Sequence, residues 1–379
     1  MNNFFKSLRE ISRFKKSEEE FKNIVFYSEN NSYSFFFKSI VDELIKRDVK
    51  LSFITSDKED IFNSYFSKNL KVYTVSNFFL LQYFFSNIKC KNFFLTMPDL
   101  GNGILNRSPF TKRYIYIFHS LISATVAYKT DAFKNYDVFF CPTKMHLGEL
   151  KIIFSNNFKD KIFLKIGYPK INELKNYKPK VIDKKNKILI APTWGSDGII
   201  NKKEILLLIE SLLQKNYNVV LRPHPMSFTK DNNSIANILD KFQNNKNFKL
   251  SDDKSNLDAF YNCEYLITDW SGSAIEFSLA FKKPSIFLDT DQRIRNKEIK
   301  KDNKLLDHTF ENICRNEIGI ILKIENFSKI GEKLKTLDQN SMIFNEKIVN
   351  FEKKNLFNTE NAIDISVNEI IKLSNNKVA

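Results

Sequence analysis

Glycine and proline are scarce in this 379-residue chain, nine of each, which excludes a collagen-like repeat and a broadly disordered Pro/Gly-rich chain. Cysteine is scarcer still. Cys90, Cys141, Cys263 and Cys314 stand far apart in mostly apolar surroundings. Neither a disulfide framework nor a metal cluster is predicted, and the four read as reduced core residues of a cytoplasmic protein. No long hydrophobic run is present: Val75 to Ile88 is interrupted by Ser76, Asn77 and Gln82 and is too short to span a bilayer. Met1 to Lys22 lacks the continuous apolar stretch of a secretory signal. Zinc-finger spacing, a basic leucine zipper and an RNA-recognition aromatic motif are missing, so nucleic acid is not an expected partner. Neither G-x-G-x-x-G nor G-x-x-x-x-G-K-[ST] occurs, which counts against a dinucleotide site and a P-loop.

What the chain has is aromatic bulk and positive charge. Its 37 Phe and 14 Tyr supply a large apolar interior, and the length exceeds what one ordinary core serves, so two α/β domains are expected. Lys and Arg number 59 against 44 Asp and Glu, a formal charge of +15 spread along the chain. Such an excess favours anionic partners, among them nucleotides, phosphorylated substrates and membrane headgroups.

Residues 1–22 place Phe4, Phe5, Leu8, Ile11 and Phe14 among Lys6, Arg9, Arg13, Lys15 and Lys16, the pattern of a basic amphipathic helix. It fits either peripheral contact with an anionic membrane or packing on the protein body, and packing is the favoured of the two. Residues 23–172 alternate strand and helix, the signature of a parallel sheet covered on both faces, here read as an acceptor-side domain. Within it a helix is expected over Asp57 to Phe66, and the pairs Phe78-Phe79 and Phe84-Phe85 are expected in a helix core. Residues 173–187 are lysine-rich, contain Pro179 and lack apolar periodicity, so they read as a linker. A second α/β series over 188–340 reads as the nucleotide-donor domain, and 341–379 as C-terminal helices. Two doubly wound, Rossmann-like domains in series imply a cleft between them.

Four motifs fall at the ends of predicted strands. His119 follows Ile115-Tyr116-Ile117-Phe118, where an imidazole can take a proton from a hydroxyl; a histidine satisfied by a backbone carbonyl is the plainer alternative. Ala191-Pro192-Thr193-Trp194-Gly195 ends another strand, with Gly195 permitting close backbone approach and Thr193 offering a hydroxyl. Arg222-Pro223-His224-Pro225 holds Arg222 and His224 between stiffening prolines, as pre-organised phosphate recognition requires. The last motif lies in a strand–turn–helix–strand unit from Tyr265 to Asp289. There Asp269, Ser271, Gly272 and Ser273 surround a helix N-terminus suited to phosphate, and Glu276 sits one turn in, able to orient a polyol or ribose hydroxyl. Ser273 to Glu276 also fits a capping box, which needs no ligand. Asp289-Thr290-Asp291 is too short a match to predict a cation, and no metal or cofactor is expected. His146 and His308 read as surface or cap residues, Arg293 and Arg295 as a solvated basic loop.

In order and spacing these motifs resemble the CDP-glycerol glycerophosphotransferase family of teichoic-acid and capsule biosynthesis. The resemblance rests on FHS at Phe118 to Ser120, AYKTDAFKNYD at Ala127 to Asp137, GYP at Gly167 to Pro169, APTWG at Ala191 to Gly195, RPHP at Arg222 to Pro225 and TDWSGSAIEF at Thr268 to Phe277. Where well-known members read H-G-T, this chain reads His119-Ser120-Leu121. The resemblance implies a GT-B fold and transfer of a glycerol- or ribitol-phosphate unit from a CDP-activated donor to a glycan or lipid-linked acceptor. It also implies His119 as general base, His224 with Arg222 on the pyrophosphate, and Ser271 and Ser273 on phosphate. Two other readings keep the scaffold: a GT-B glycosyltransferase using a sugar nucleotide, and a non-catalytic nucleotide- or glycan-binding subunit of a polysaccharide assembly complex. A cytoplasmic protein, peripheral to the inner face of the membrane where the first helix binds it, is the expected setting.

Overall fold

The structure, a computed structural model, describes residues 3–179, 182, 184–251, 257–292, 294–296, 298 and 309–375. The chain forms two compact units. One comprises Met1–His119, Tyr128–Asn172 and Leu356–Ala379; the other comprises Ser120–Ala127 and Glu173–Asn355.

The first unit carries a seven-stranded parallel sheet. Its strands are β1 (Ile24–Ser28), β2 (Leu51–Thr55), β3 (Leu70–Thr74), β4 (Asn92–Leu95), β5 (Arg113–Ile117), β6 (Val138–Cys141) and β7 (Ile162–Lys165), ordered β3-β2-β1-β4-β5-β6-β7. β1, β2, β4 and β6 are buried along their whole length. That is why IVFYS, LSFIT, NFFL and VFFC read as near-continuous apolar runs rather than alternating ones. The strand order reverses between β1 and β4, whose pairing runs from Ile24 opposite Asn92 to Phe26 opposite Phe94. At the carboxyl ends of such a pair the two crossovers diverge and leave a crevice, the usual place for ligands in this topology.

Helices α1 (Asn3–Lys15), α2 (Asn31–Lys46) and α3 (Phe78–Asn87) cover this unit. α1 buries Ile11 and Phe14, with the Phe14 ring edge-on to Tyr73 and Phe84, so packing on the body accounts for part of its apolar face. Phe4, Phe5 and Leu8 remain exposed. The expected helix over Asp57 to Phe66 is instead a single 3-10 turn, Ile61–Ser64. Asp57 accepts from the Glu59 N–H and Asp60 from the Phe62 N–H, local bonds that compete with helix formation. In α3, Phe84 and Phe85 are buried, whereas Phe78 and Phe79, in its first turn, are 52% and 77% exposed and lie outside the core.

The second unit carries β8 (Lys187–Ile190), β9 (Asn218–Leu221), β10 (Phe248–Leu250), β11 (Tyr265–Thr268), β12 (Ser285–Leu288) and β13 (Gly319–Leu322), all parallel, ordered β10-β9-β8-β11-β12-β13. Its reversal lies between β8 and β11. Ile188, Ile190, Leu208, Leu212, Ile267, Ile286 and Leu334 form the apolar layer on one face of the sheet, and Leu189, Leu266, Phe260, Ala274 and Phe277 the layer on the other. The helix Pro169–Asn176 runs into the lysine-rich stretch that begins at Glu173. Near the end of the chain, the helix Ser341–Asn355 falls in the second unit and Ala362–Ser374 in the first. All four cysteines are buried and unbridged. Among the described residues no helix is long and apolar enough to cross a membrane.

Candidate active site

The second unit gathers three of the four motifs at the carboxyl edge of its sheet, on the turns after β8, β9 and β11, which are neighbours in the sheet. Asp269, one residue past β11, is the organising group and is 1% exposed. Its Oδ1 accepts from the Thr193 N–H at 2.8 Å, and its Oδ2 accepts from Thr193 Oγ1 at 2.6 Å and from the Ile199 N–H at 2.9 Å. A buried carboxylate holding three donors ties the loop after β8 to the start of the turn after β11. The same loop is laced from its far side. Asp231 accepts from the Gly195 N–H at 3.0 Å, and Asn201 Nδ2 donates to the Gly195 carbonyl and to Asp231, each at 2.8 Å. Gly195 sits at φ +94°, a left-handed conformation that only glycine adopts cheaply, so its place in the motif has a backbone cause.

The helix expected from Ala274 begins two residues earlier, Gly272–Phe281, and its N-cap is Ser271, whose hydroxyl accepts from the Ser273 N–H at 3.3 Å. The capping box expected over Ser273 to Glu276 is therefore not the one that forms: with Ser271 at the N-cap the third helical position is Ala274, and Glu276 lies beyond it, buried. Gly272 has a packing reason of its own. A Cβ there would lie 2.4 Å from Ser120 Oγ, in the Ser120–Ala127 segment of the same unit. Behind the turn, Arg315 donates to the carbonyls of Asp269 (2.6 Å) and Leu288 (2.9 Å), and its guanidinium lies 4.0 Å from the Trp270 ring centroid. Burial lowers its pKa to about 10, with the Asp289 and Asp269 charges opposing that shift.

His224 accepts from the Met226 N–H through Nδ1 at 3.1 Å. A ring nitrogen that accepts carries no proton, so the neutral ring holds its proton on Nε2. The His224 and Trp194 rings are 6.0 Å apart, and the Arg295 guanidinium stands 4.6 Å over Trp194. Arg295 and Asn296 are pinned through their N–H groups to the Val126 carbonyl, at 3.1 and 3.2 Å. Arg295 thus stacks on a motif residue, where a solvated loop was expected; Arg293 and His308 lie outside the described residues. Arg222 is buried after β9, its N–H donating to the Ile190 carbonyl. No spacing in the sequence singled out Asp231, Asn201 or Arg315, because each makes a bond to a partner at least 30 positions away that only the fold brings near.

His119 belongs to the first unit, just past β5. Its Nδ1 is 3.0 Å from the Thr96 carbonyl, which can only accept, so Nδ1 carries the proton and Nε2 the lone pair. The Tyr33 ring meets the imidazole edge-on at 5.0 Å. The two histidines are therefore set in opposite tautomers, His119 as a proton acceptor and His224 as a donor. The other described histidine, His146, is buried and bonds the Thr143 N-cap hydroxyl through Nδ1 at 2.8 Å. Among the described residues no group of three or more His, Cys, Asp or Glu is arranged to hold a metal ion.

Two doubly wound parallel units, each with polar turns at the carboxyl ends of its strands, place the chain in the GT-B fold class. The chain belongs to the CDP-glycerol:poly(glycerophosphate) glycerophosphotransferase family, whose pattern it matches over residues 11–358, and is an enzyme of that transferase type. No curated protein matches it in sequence. Among solved structures it is similar to the wall teichoic acid polymerase TagF, with 18% identity over 99% of this chain and 98% of that one and a TM-score of 0.62. It is similar too to the UDP-GlcNAc 2-epimerase from Neisseria meningitidis (14% identity, 92% and 99% covered, TM-score 0.58) and to MnaA from S. aureus (13%, 94% and 97%, 0.58). At such identities these likenesses speak for the fold alone.

Proposed function

We propose that the protein transfers a polyol-phosphate unit, glycerol phosphate in the first instance, from a CDP-activated donor to a hydroxyl of a cell-surface glycan or lipid-linked acceptor of the teichoic-acid or capsule type. The acceptor oxygen attacks the phosphorus next to the polyol, the bond from that phosphorus to CMP breaks, and the hydroxyl proton passes to His119 Nε2. The donor diphosphate binds in the second unit, with the Nε2–H of His224, Arg222 and the helix N-terminus at Ser271, Gly272 and Ser273 taking its oxygens. Asp269 and Thr193 fix the loop that carries Gly195, and Glu276 orients a hydroxyl of the donor. Phosphoryl transfer asks chiefly for positioning and charge neutralisation, which these groups provide.

The observation that supports this reading most is the pair of tautomers: a base is needed on the acceptor side and a donor on the phosphate side, and the backbone bonds of His119 and His224 hold each ring in the matching form. Incubation of the purified protein with CDP-glycerol, CDP-ribitol and UDP-sugars tests it. Release of CMP with growth of the acceptor is expected; turnover of a UDP-sugar alone would replace this reading with the glycosyltransferase.

A peripheral contact with the inner face of an anionic membrane completes the proposal. Phe4, Phe5 and Leu8 on α1 and Phe78, Phe79 and Tyr83 on α3 are exposed, and Lys15 lies against Tyr83. Beside α1 opens a cavity lined by Lys6, Arg9, Lys58 and the Arg13–Glu10 ion pair, a net positive surface for lipid phosphates.

A further inference from the structure

Glu29 is a carboxyl with nothing to hold. It follows β1 directly, in the turn that leads into α2, and is half-buried. Among the described residues no hydrogen bond or ion pair engages it, although its charge is felt at two phenols. Burial first, and Glu29 in addition, keeps Tyr27 and Tyr136 above their ordinary pKa. A half-buried carboxyl that no protein group pairs, partly open to solvent at the edge of the sheet, is free to accept from a ligand.

Its position supplies the explanation. β1 and β4 are the pair at which the strand order of the first unit reverses, and in their register Glu29, three residues past Phe26, stands level with Met97, three past Phe94. On the other side of β4, Leu95 pairs with Tyr116, which puts Phe118 level with Met97 and His119 one residue beyond. Glu29 and His119 therefore flank the end of β4, two strand spacings or about 10 Å apart. Three further contacts knit this edge. Thr96 accepts from His119, Met97 accepts from the Tyr136 hydroxyl, and Tyr33, four residues after Glu29, packs on the His119 ring. In the second unit the residue at the corresponding reversal, Asp269, is saturated by its own loop. Glu29 is not.

We propose that Glu29 is an acceptor-binding residue: its carboxyl accepts a hydrogen bond from one hydroxyl of a polyol acceptor while the neighbouring hydroxyl of the same diol faces His119. An anionic oxygen is the wrong ligand for a carboxyl, and a hydroxyl is the right one, so the site selects a vicinal diol such as a terminal glycerol unit over a phosphate or a lone alcohol. This rests on the reading of His119 as the acceptor-side base.

The test pairs the protein with the acceptor. Binding of a soluble glycerol-phosphate dimer, which ends in a 1,2-diol, and of the same molecule ending in 3-hydroxypropyl phosphate is titrated against the wild type, Glu29→Gln and Glu29→Ala. CDP is titrated in parallel, and thermal midpoints are recorded. The wild type is expected to prefer the diol by about ten-fold, the scale of one hydrogen bond to a charged group. Glu29→Ala should abolish that preference, Glu29→Gln should retain part of it, and CDP affinity should hold in both. Glu29→Gln should also melt no lower than the wild type, whereas a merely structural acid would lose stability on substitution. A wild type that binds both dimers equally, or an alanine variant that keeps the preference, overturns the proposal. Failure of the reading beneath it looks different: His119→Ala would then transfer normally, or the wild type would not bind CDP, whatever the dimers do.

Discussion

Thr193 and Asp269 meet across the point where the strand order of the second unit reverses, the one just past β8 and the other just past β11, joined by both the N–H and the hydroxyl of Thr193. The bond pair converts two separate turns into one rigid rim. It also gives the two residues work within the protein: Asp269 spends its oxygens on the loop, so its part in the proposed donor site is to hold Gly195 and the serine turn in place. Asp269→Ala would strand three buried donors, and a loss of about 3 kcal/mol is expected, together with weaker CDP binding. Thermal melting and a CDP titration of the variant check this; a stable variant that still binds CDP normally would show that the rim is held by other means.

Arg315 supports that rim from behind through the carbonyls of Asp269 and Leu288 and through Trp270. Arg315→Met keeps volume but removes the donor to the Asp269 carbonyl and leaves the Leu288 carbonyl with the Thr290 N–H. A destabilisation of about 2–4 kcal/mol is expected, larger than for Arg315→Lys, which retains a charge but not the planar fork. Denaturant midpoints of the two variants, compared under one condition, give the order.

These two residues show where the sequence was readable and where it was not. The strands Tyr265–Thr268 and Ser285–Leu288 of the expected strand–turn–helix–strand unit fell where apolar runs bounded by polar turns placed them, because a sheet buried on both faces writes itself into consecutive residues. His119, Thr193, His224 and Asp269 stood out for a similar reason, each lying next to such a run. Arg315 and Asp231 did not, since most of their partners are brought to them by the fold, nor did Glu29, whose place beside His119 is set only by the order of the strands. Local polar chemistry also misled: Asp57 and Asp60 cap turns rather than a helix, Ser271 rather than Ser273 starts the helix after β11, and Phe78 and Phe79 are on the surface. Periodicity reports which face is apolar, not whether anything covers it.

Burial raises the Glu29 carboxyl from 4.5 to about 7. The folded state therefore holds this proton more tightly than the unfolded chain, so the group costs nothing below about pH 4.5, and its penalty grows up to about pH 7 and is constant above. Glu29→Gln should gain on the wild type as pH rises through that window, by on the order of 1–3 kcal/mol at pH 8 and by nothing at pH 4. Tyr27 and Tyr136 titrate above the window, and His119 and Asp57 are common to both proteins. Stability measured from pH 4 to 8 decides; parallel curves for the two proteins would show that Glu29 is not held in a desolvated setting.

The exposed faces of α1 and α3 should carry the protein to anionic bilayers. Co-sedimentation with phosphatidylglycerol vesicles is expected, falling at least several-fold for the Phe5→Asp, Phe79→Asp double variant and with added salt. Equal partition onto phosphatidylcholine vesicles, or no effect of the double variant, would remove this surface from the proposal.

The most direct test is turnover by His119→Ala with CDP-glycerol and a glycerol-phosphate acceptor, following CMP release and acceptor mass. A loss of about a hundred-fold or more, with CDP affinity intact, is the result expected if His119 Nε2 takes the acceptor proton. An alanine variant that extends the acceptor at the wild-type rate would contradict it.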